Sequence, residues 1–258
     1  MTAAKGSNWE EHRRTKNTGS TLRSNLVLKD DRDHLPNYLV KEIKDLVKHN
    51  NRPVSLSAPF DEMRFAVMDL ETTGFHHHMG DEIISIGAVI IEDGRIKQDK
   101  TFHELVDPHC HVPYEVQSLT GIQPEMLAGC PSFFGVMQPL LRFIDGNVIV
   151  GHNVAFDLGF INPKLKKYCH TKIDNHTLDT ITLAQFLGIR SRGFSLDDLL
   201  AFYGIEPAGR HTALGDALMT AEVFMRLIAS LKDRSIQTLL GLEIALKYYA
   251  RYSEVKFL

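Results

Sequence analysis

The sequence predicts an α/β fold, a mixed β-sheet flanked by α-helices, and three observations carry that expectation. From residue 64 the chain breaks into short apolar runs of strand length, at 65–70, 82–91 and around 101–106. Asp93-Gly94 stands between the second and third runs, and this pair favours the tight turn of a hairpin, so three antiparallel strands follow. Beyond residue 130, helical and strand-like segments alternate, which is the pattern of β-α units stacking helices on a sheet.

The elements follow in order. Residues 1–60 carry little sustained periodicity except at 38–47, where apolar residues recur at helical spacing until Asn50-Asn51-Arg52-Pro53 breaks the pattern. This stretch reads as an N-terminal extension with one amphipathic helix. After the meander come a helix at 132–144, a strand at 147–150, a helix at 154–168 and a short strand around 176–180, followed by more helix. The last strong element is 212–231, whose Leu214, Ala217, Leu218, Ala221, Phe224, Met225, Ile228 and Leu231 mark one core-facing stripe. Residues 235–258 read as one more amphipathic helix. The domain boundaries expected are therefore 1–60, 61–231 and 232–258, and the element order is that of a ribonuclease-H-like sheet.

Composition narrows the function classes. With 258 residues, 43% of them hydrophobic, the chain can bury one full core. The three cysteines, Cys110, Cys130 and Cys169, are scattered and lack zinc-ligand or disulfide-framework spacing, which fits a reducing compartment. There is no apolar run of the roughly 18 residues a membrane span needs and no apolar core in the polar first 20 residues, so a cytoplasmic location is expected. A net charge of −3 excludes a basic sheath that coats long nucleic acid; any such contact must be short and local.

Chemistry concentrates in three segments. Asp69 and Glu71 end the first strand two residues apart, so both carboxylates leave the same face, and Thr72-Thr73-Gly74 turns the chain immediately afterwards. Gly151-His-Asn-Val-Ala-Phe-Asp157 follows a buried-looking strand, with Asn153 placed to cap the next helix and Asp157 in its first turn. The third segment is His211-Thr-Ala-Leu-Gly-Asp216. Five helical steps rotate about 140°, so His211 and Asp216 do not share a helix face, and His211 belongs to the loop before the helix.

Singly, each has an ordinary reading: a solvated strand end, a helix-stabilising first-turn acid, an exposed loop histidine. Together, four acids without a compensating Lys or Arg would repel by several kcal/mol and imply a cation. Oxygen donors select magnesium or manganese, two such ions suit in-line attack on a phosphodiester, and a histidine near neutral pKa suits proton removal from water.

In order and spacing, Phe65-Ala-Val-Met-Asp-Leu-Glu-Thr-Thr-Gly, Asp81-Glu-Ile-Ile-Ser-Ile-Gly-Ala-Val, Leu119-Thr-Gly-Ile, Gly151-His-Asn-Val-Ala-Phe-Asp and the His211 to Asp216 segment resemble the DEDDh (DnaQ-like) family of 3′-to-5′ exonucleases, to which the epsilon proofreading subunit of bacterial DNA polymerase III belongs. The resemblance covers roughly residues 64–231. It implies that Asp69, Glu71, Asp157 and Asp216 bind two divalent cations, Mg2+ or Mn2+, and that His211 is the general base. It also implies that Thr72, Gly74, Leu119, Asn153 and Phe156 line the pocket for the terminal nucleotide. The placement of His211 marks the histidine type of the family rather than the tyrosine type. Expected partners are nucleic-acid 3′ ends, DNA favoured over RNA, and a replication or repair protein. The first 60 residues have no counterpart in this pattern, which favours a stand-alone exonuclease over the proofreading subunit itself. An RNA-directed 3′ exonuclease, a non-catalytic polymerase-associated module and a small-ester hydrolase stay open as alternatives.

Three further features have surface or core readings. His76-His77-His78 reads as a solvated loop, and Lys164, Lys166, Lys167 and Lys172 as a solvated basic helix face that could meet phosphates. Gln237-Thr-Leu-Leu-Gly-Leu faintly resembles peptides that dock on sliding clamps, inside what otherwise reads as helix.

Overall fold

The structure, a computed structural model, describes residues 35–254; residues 1–34 of the N-terminal stretch and 255–258 of the tail lie outside the described residues. Five strands, β1 (Phe65–Thr72), β2 (Ile83–Glu92), β3 (Arg95–Leu105), β4 (Val148–Gly151) and β5 (Thr177–Asp179), form one sheet in the order β3-β2-β1-β4-β5. The β1/β2 and β2/β3 pairs are antiparallel, and the β1/β4 and β4/β5 pairs are parallel. This is the mixed sheet that the meander and the β-α alternation predict. The β2-β3 turn is Asp93-Gly94, with φ of 54° and 63°, the left-handed pair that matches the twist of a two-residue hairpin.

The helices are α1 (Asn37–Asn50), α2 (Tyr114–Thr120), α3 (Pro124–Leu127), α4 (Phe133–Ile144) and α5 (Val154–Cys169), then α6 (Thr180–Phe186), α7 (Leu196–Tyr203), α8 (Ala213–Asp233) and α9 (Leu239–Glu254). They cover both sheet faces, and the alternation of β1 shows how. Ala66, Met68 and Leu70 enter one core with residues of α1, α4 and α5, while Phe65 and Val67 enter the other with residues of α6, α7 and α8. Leu39, Ile43 and Val47 of α1 are buried in the first core. Helix α1 thus docks beside α4 and α5.

Two expectations change. The stripe assigned to α8 is too narrow: Leu214, Leu218 and Met225 are half-buried, whereas Ala213, Met219, Val223 and Leu227, outside the stripe, are buried. The helix touches β1 and β2 on one side and α6 and α7 on another, so apolar residues are needed over most of its circumference. The tail is not helical from residue 235: Ser235 takes a φ of 63°, Thr238 bridges to Pro59, and α9 begins at Leu239. The short helices α2 and α3 had no periodic signal long enough to read.

Candidate active site

The apolar face of β1 becomes the acidic one without changing sides. Phe65 packs edge-on against Phe224 of α8, with ring centroids 5.0 Å apart, and Val67 follows on the same face. Asp69 and Glu71 come next by the two-residue period, beyond the packed part of the core. A β-bulge shifts the β1/β2 register just after Glu71, at the point where the chain leaves the sheet.

Asp69 lies opposite Gly87 of β2. A Cβ on Gly87 would stand 2.2 Å from the backbone of Ala213 and Leu214, so the first turn of α8 rests directly on that glycine. This close approach brings Asp216 to β1. One carboxylate oxygen from each of Asp69, Glu71 and Asp216 falls within 4.8 Å of the others. The start of α8 is fixed by Thr212, whose hydroxyl accepts from Gly215 N at 3.2 Å and donates to Gly209 O at 2.7 Å.

Asp157 lies outside that trio but is 3% exposed and interacts electrostatically with both Asp69 and Glu71. It sits in the first turn of α5, directly beyond β4. Strand β4 pairs with β1 only as far as Val67, and the backbone amide of Leu70, past that point, hydrogen-bonds the Asp157 carboxylate. Asn153 occupies the cap position, with a left-handed φ of 67°, but its side chain makes no capping hydrogen bond. That expectation is corrected: Asp179, at the end of β5, accepts from Val154 N at 2.8 Å through one oxygen and from Ile181 N and Thr182 N through the other. A single carboxylate thus meets the first amides of both α5 and α6, while the left-handed backbone of Asn153 departs from the extended one that a side-chain cap needs. Asp179-Thr180, at the junction of β5 and α6, was the sequence signal for that carboxylate.

His211 lies in the loop before α8, half-buried, at a φ of 60°, and its backbone N–H donates to Asp216 Oδ1 at 3.3 Å. The premise that no basic residue compensates the acids does not hold. The Nη1 of Arg210 donates to Asp216 Oδ2, while its Nε and Nη2 reach the two oxygens of Asp197 at 2.6 and 3.2 Å. Arg210 escaped the sequence reading because no local pattern shows that a loop cation beside His211 turns back onto Asp216. One guanidinium shared between two carboxylates still leaves the site with excess negative charge.

The electrostatics record that excess. Burial, then the charges of Asp157, Asp216 and Glu71, hold the Asp69 carboxyl well above its usual range, against a smaller opposing pull from Arg210. Burial and the Asp216 charge push Glu71 up to about 7. Burial also pushes Asp157 up to about 8, despite its backbone hydrogen bonds. The neighbouring imidazole of His152, whose Nδ1 lies 2.8 Å from Thr180 Oγ1, is held below its usual value mainly by burial.

The residues expected at the nucleotide pocket surround this cluster in sequence and differ in environment. Leu119 is 54% exposed, so its side chain is not part of the core. Phe156 is half-buried, with Phe160 at 5.0 Å and the exposed Phe75 at 6.2 Å between ring centroids. Thr72 donates to Gly74 O at 2.6 Å, and a Cβ on Gly74 would strike the Asp81 carboxylate. Phe75 was missed, since a lone aromatic after a strand-end glycine carries no periodic signal.

The other singled-out features resolve as follows. His76 and His78 are exposed, but His77 turns inward onto Phe160, ring centroids 5.5 Å apart. Lys164 pairs with Glu82 at 2.5 Å and Lys172 with Asp174 at 2.6 Å, so two of the four lysines are already neutralised. In the 237–242 segment Leu239 and Leu242 are buried in the core, unavailable to a docking partner.

Residues 66–224 match the family RNase_T, described as exonuclease. A PolC-type DNA polymerase III from Thermotoga petrophila is 34% identical over 206 residues, which is 80% of this chain and 14% of that protein. The epsilon subunit of DNA polymerase III from Aquifex aeolicus is 38% identical over 167 residues, covering 65% of this chain and 81% of that one. In solved structures, the nuclease domain of 3′hExo, a DEDDh family member bound to rAMP, superposes with a TM-score of 0.59 at 18% identity, over 70% of this chain and 97% of that one. The chain spans about a seventh of the PolC-type relative's length, but most of the epsilon subunit's. The acids that β1, α5 and α8 bring to one edge of this sheet therefore have a family, and the chain belongs to the exonucleases of the DEDDh, DnaQ-like type.

Proposed function

We propose that this chain is a metal-dependent 3′-to-5′ exonuclease that hydrolyses the terminal phosphodiester of single-stranded DNA and releases nucleoside 5′-monophosphates. The observation that carries the reading is the convergence of Asp69, Glu71 and Asp216 within 4.8 Å, with Asp157 buried beside them. A set of carboxylate oxygens without thiolate fits a hard divalent cation, Mg2+ or Mn2+, and four acids fit two. When bound, such ions supply the positive charge that acidifies an attacking water and offsets charge on the leaving oxygen.

The chain's own residues supply the rest. Asp69, Glu71, Asp157 and Asp216 hold the cations, and His211 accepts the proton of the attacking water. Thr72, Gly74 and Asn153 meet the sugar and phosphate of the terminal nucleotide, while Leu119 and Phe156 offer apolar surface to its base. The polymerase III names of the relatives support DNA as substrate and a replication or repair protein as partner. The three cysteines are free, which supports a reducing, cytoplasmic setting, and among the described residues no helix is long and apolar enough to cross a membrane.

The test uses 5′-labelled single-stranded DNA and RNA of equal sequence, with magnesium, manganese or chelator. Shortening from the 3′ end that needs metal, runs faster on DNA and vanishes in Asp69→Ala is the expected result. Faster shortening of RNA moves the substrate to RNA ends, for which the neighbour bound to rAMP is a precedent. Full turnover by Asp69→Ala would sink the metal-site reading; cleavage of mononucleotide esters alone, or of nothing, would leave a small-ester hydrolase or a binding module.

A further inference from the structure

We propose that Arg210 is an internal cation of this site, seated on Asp216 until a divalent metal displaces it. The inference rests on the metal-site reading above and adds a residue to it. Asp216 contributes one of the three convergent carboxylate oxygens, yet both of its oxygens are engaged: Oδ2 by Arg210 Nη1 and Oδ1 by the backbone N–H of His211. A metal that takes Asp216 must therefore compete with a hydrogen-bonded guanidinium. That competitor cannot step aside by losing a proton, because a guanidinium stays charged at any physiological pH.

The geometry divides the guanidinium into a fixed part and an exchangeable part. Two of its nitrogens grip Asp197, at 2.6 and 3.2 Å, in the fork-to-fork arrangement that Arg and carboxylates favour. Only Nη1 reaches Asp216. The Asp197 side chain is 61% exposed and that of Asp216 only 11%, so the anchor stands at the surface while the single arm reaches inward. Loss of the arm leaves Arg210 tethered beside the site rather than released into solvent. The consequence is a metal site whose acids are partly neutralised before metal arrives, at the expense of metal affinity.

The test is calorimetric titration of the full chain with Mn2+ at pH 7.5, without nucleic acid, together with melting in chelator. Arg210→Gln should bind Mn2+ about tenfold more tightly, equivalent to ~1.4 kcal/mol. It should also melt lower than wild type in chelator, with the gap closing at saturating Mn2+. Arg210→Lys, whose single ammonium cannot bridge both carboxylates, should show a smaller gain of the same sign, and it carries the test if Arg210→Gln does not fold. Unchanged or weaker Mn2+ affinity in the variants, with wild type binding normally, overturns this inference and leaves the metal reading standing. Absence of Mn2+ binding in wild type and variants alike overturns both, whereas binding by Arg210→Gln alone supports the displacement directly.

Discussion

At the scale of the residue, the acids act on one another before any ligand is present. Glu71 is held up to about 7 and Asp157 up to about 8, far above the values an unfolded chain would give them. A carboxyl whose folded pKa is raised binds its proton more tightly in the folded state. Its favourable contribution is therefore fully present below the unfolded pKa, near 4, and is lost as pH rises through the folded values of about 7 and 8. In chelator the protein should accordingly melt higher at pH 5 than at pH 8, by an amount on the order of a few kcal/mol in unfolding free energy. Millimolar Mn2+ should close most of that gap, and a chelated protein equally stable at both pH values would show that the acids do not strain the fold. His211 belongs to the same scale but a different function. Because only its backbone N–H meets Asp216, His211→Ala should lower the exonuclease rate by about 10²–10⁴ while Mn2+ affinity changes little, as read by paired kinetics and calorimetry.

At the scale of the element, the decisive contact is that of α8 on β2. The Gly87 contact is backbone on backbone, with a would-be Cβ 2.2 Å from Ala213 C, so no rotamer change can relieve it. Gly87→Ala should shift the start of α8, cost about 1–3 kcal/mol in urea denaturation, and lower the exonuclease rate by about 10² through misplacement of Asp216. A rate and stability equal to wild type would mean that the helix start is not seated there. The same contact explains what was legible in the sequence. Asp69 and Glu71 could be placed on one face because a strand's two-residue period is local, and His211 could be put in a loop by the helical angle. That Asp216 reaches Asp69 depends on a missing Cβ in another strand, which no local pattern reports. Asp179 replaced Asn153 as the cap of α5 for the same reason, since a cap can be donated from a distant element as well as from the chain just before the helix.

At the scale of the whole molecule, the question is how far the chain outside residues 66–224, the stretch that matches the family, belongs to the working domain. Helix α1 lies before it, and its amphipathic stripe is legible in the sequence, though what the stripe covers is not. The stripe covers core: Ile43 is fully buried, Leu39 and Val47 nearly so, and α1 packs on α4 and α5, the helix that carries Asp157. A buried helix so placed should unfold together with the sheet rather than before it. Ile43→Ala should therefore lower the stability of the entire domain by about 2–5 kcal/mol, in one cooperative urea transition, through the cavity it leaves. Since none of the acids is touched, the exonuclease rate per folded molecule should stay at the wild-type level. If α1 were a separable extension, the same substitution would leave the main transition where it was and add, at most, an early one of its own. The two outcomes differ in the position of a single curve, and the burial of Ile43 argues for the shift of the whole.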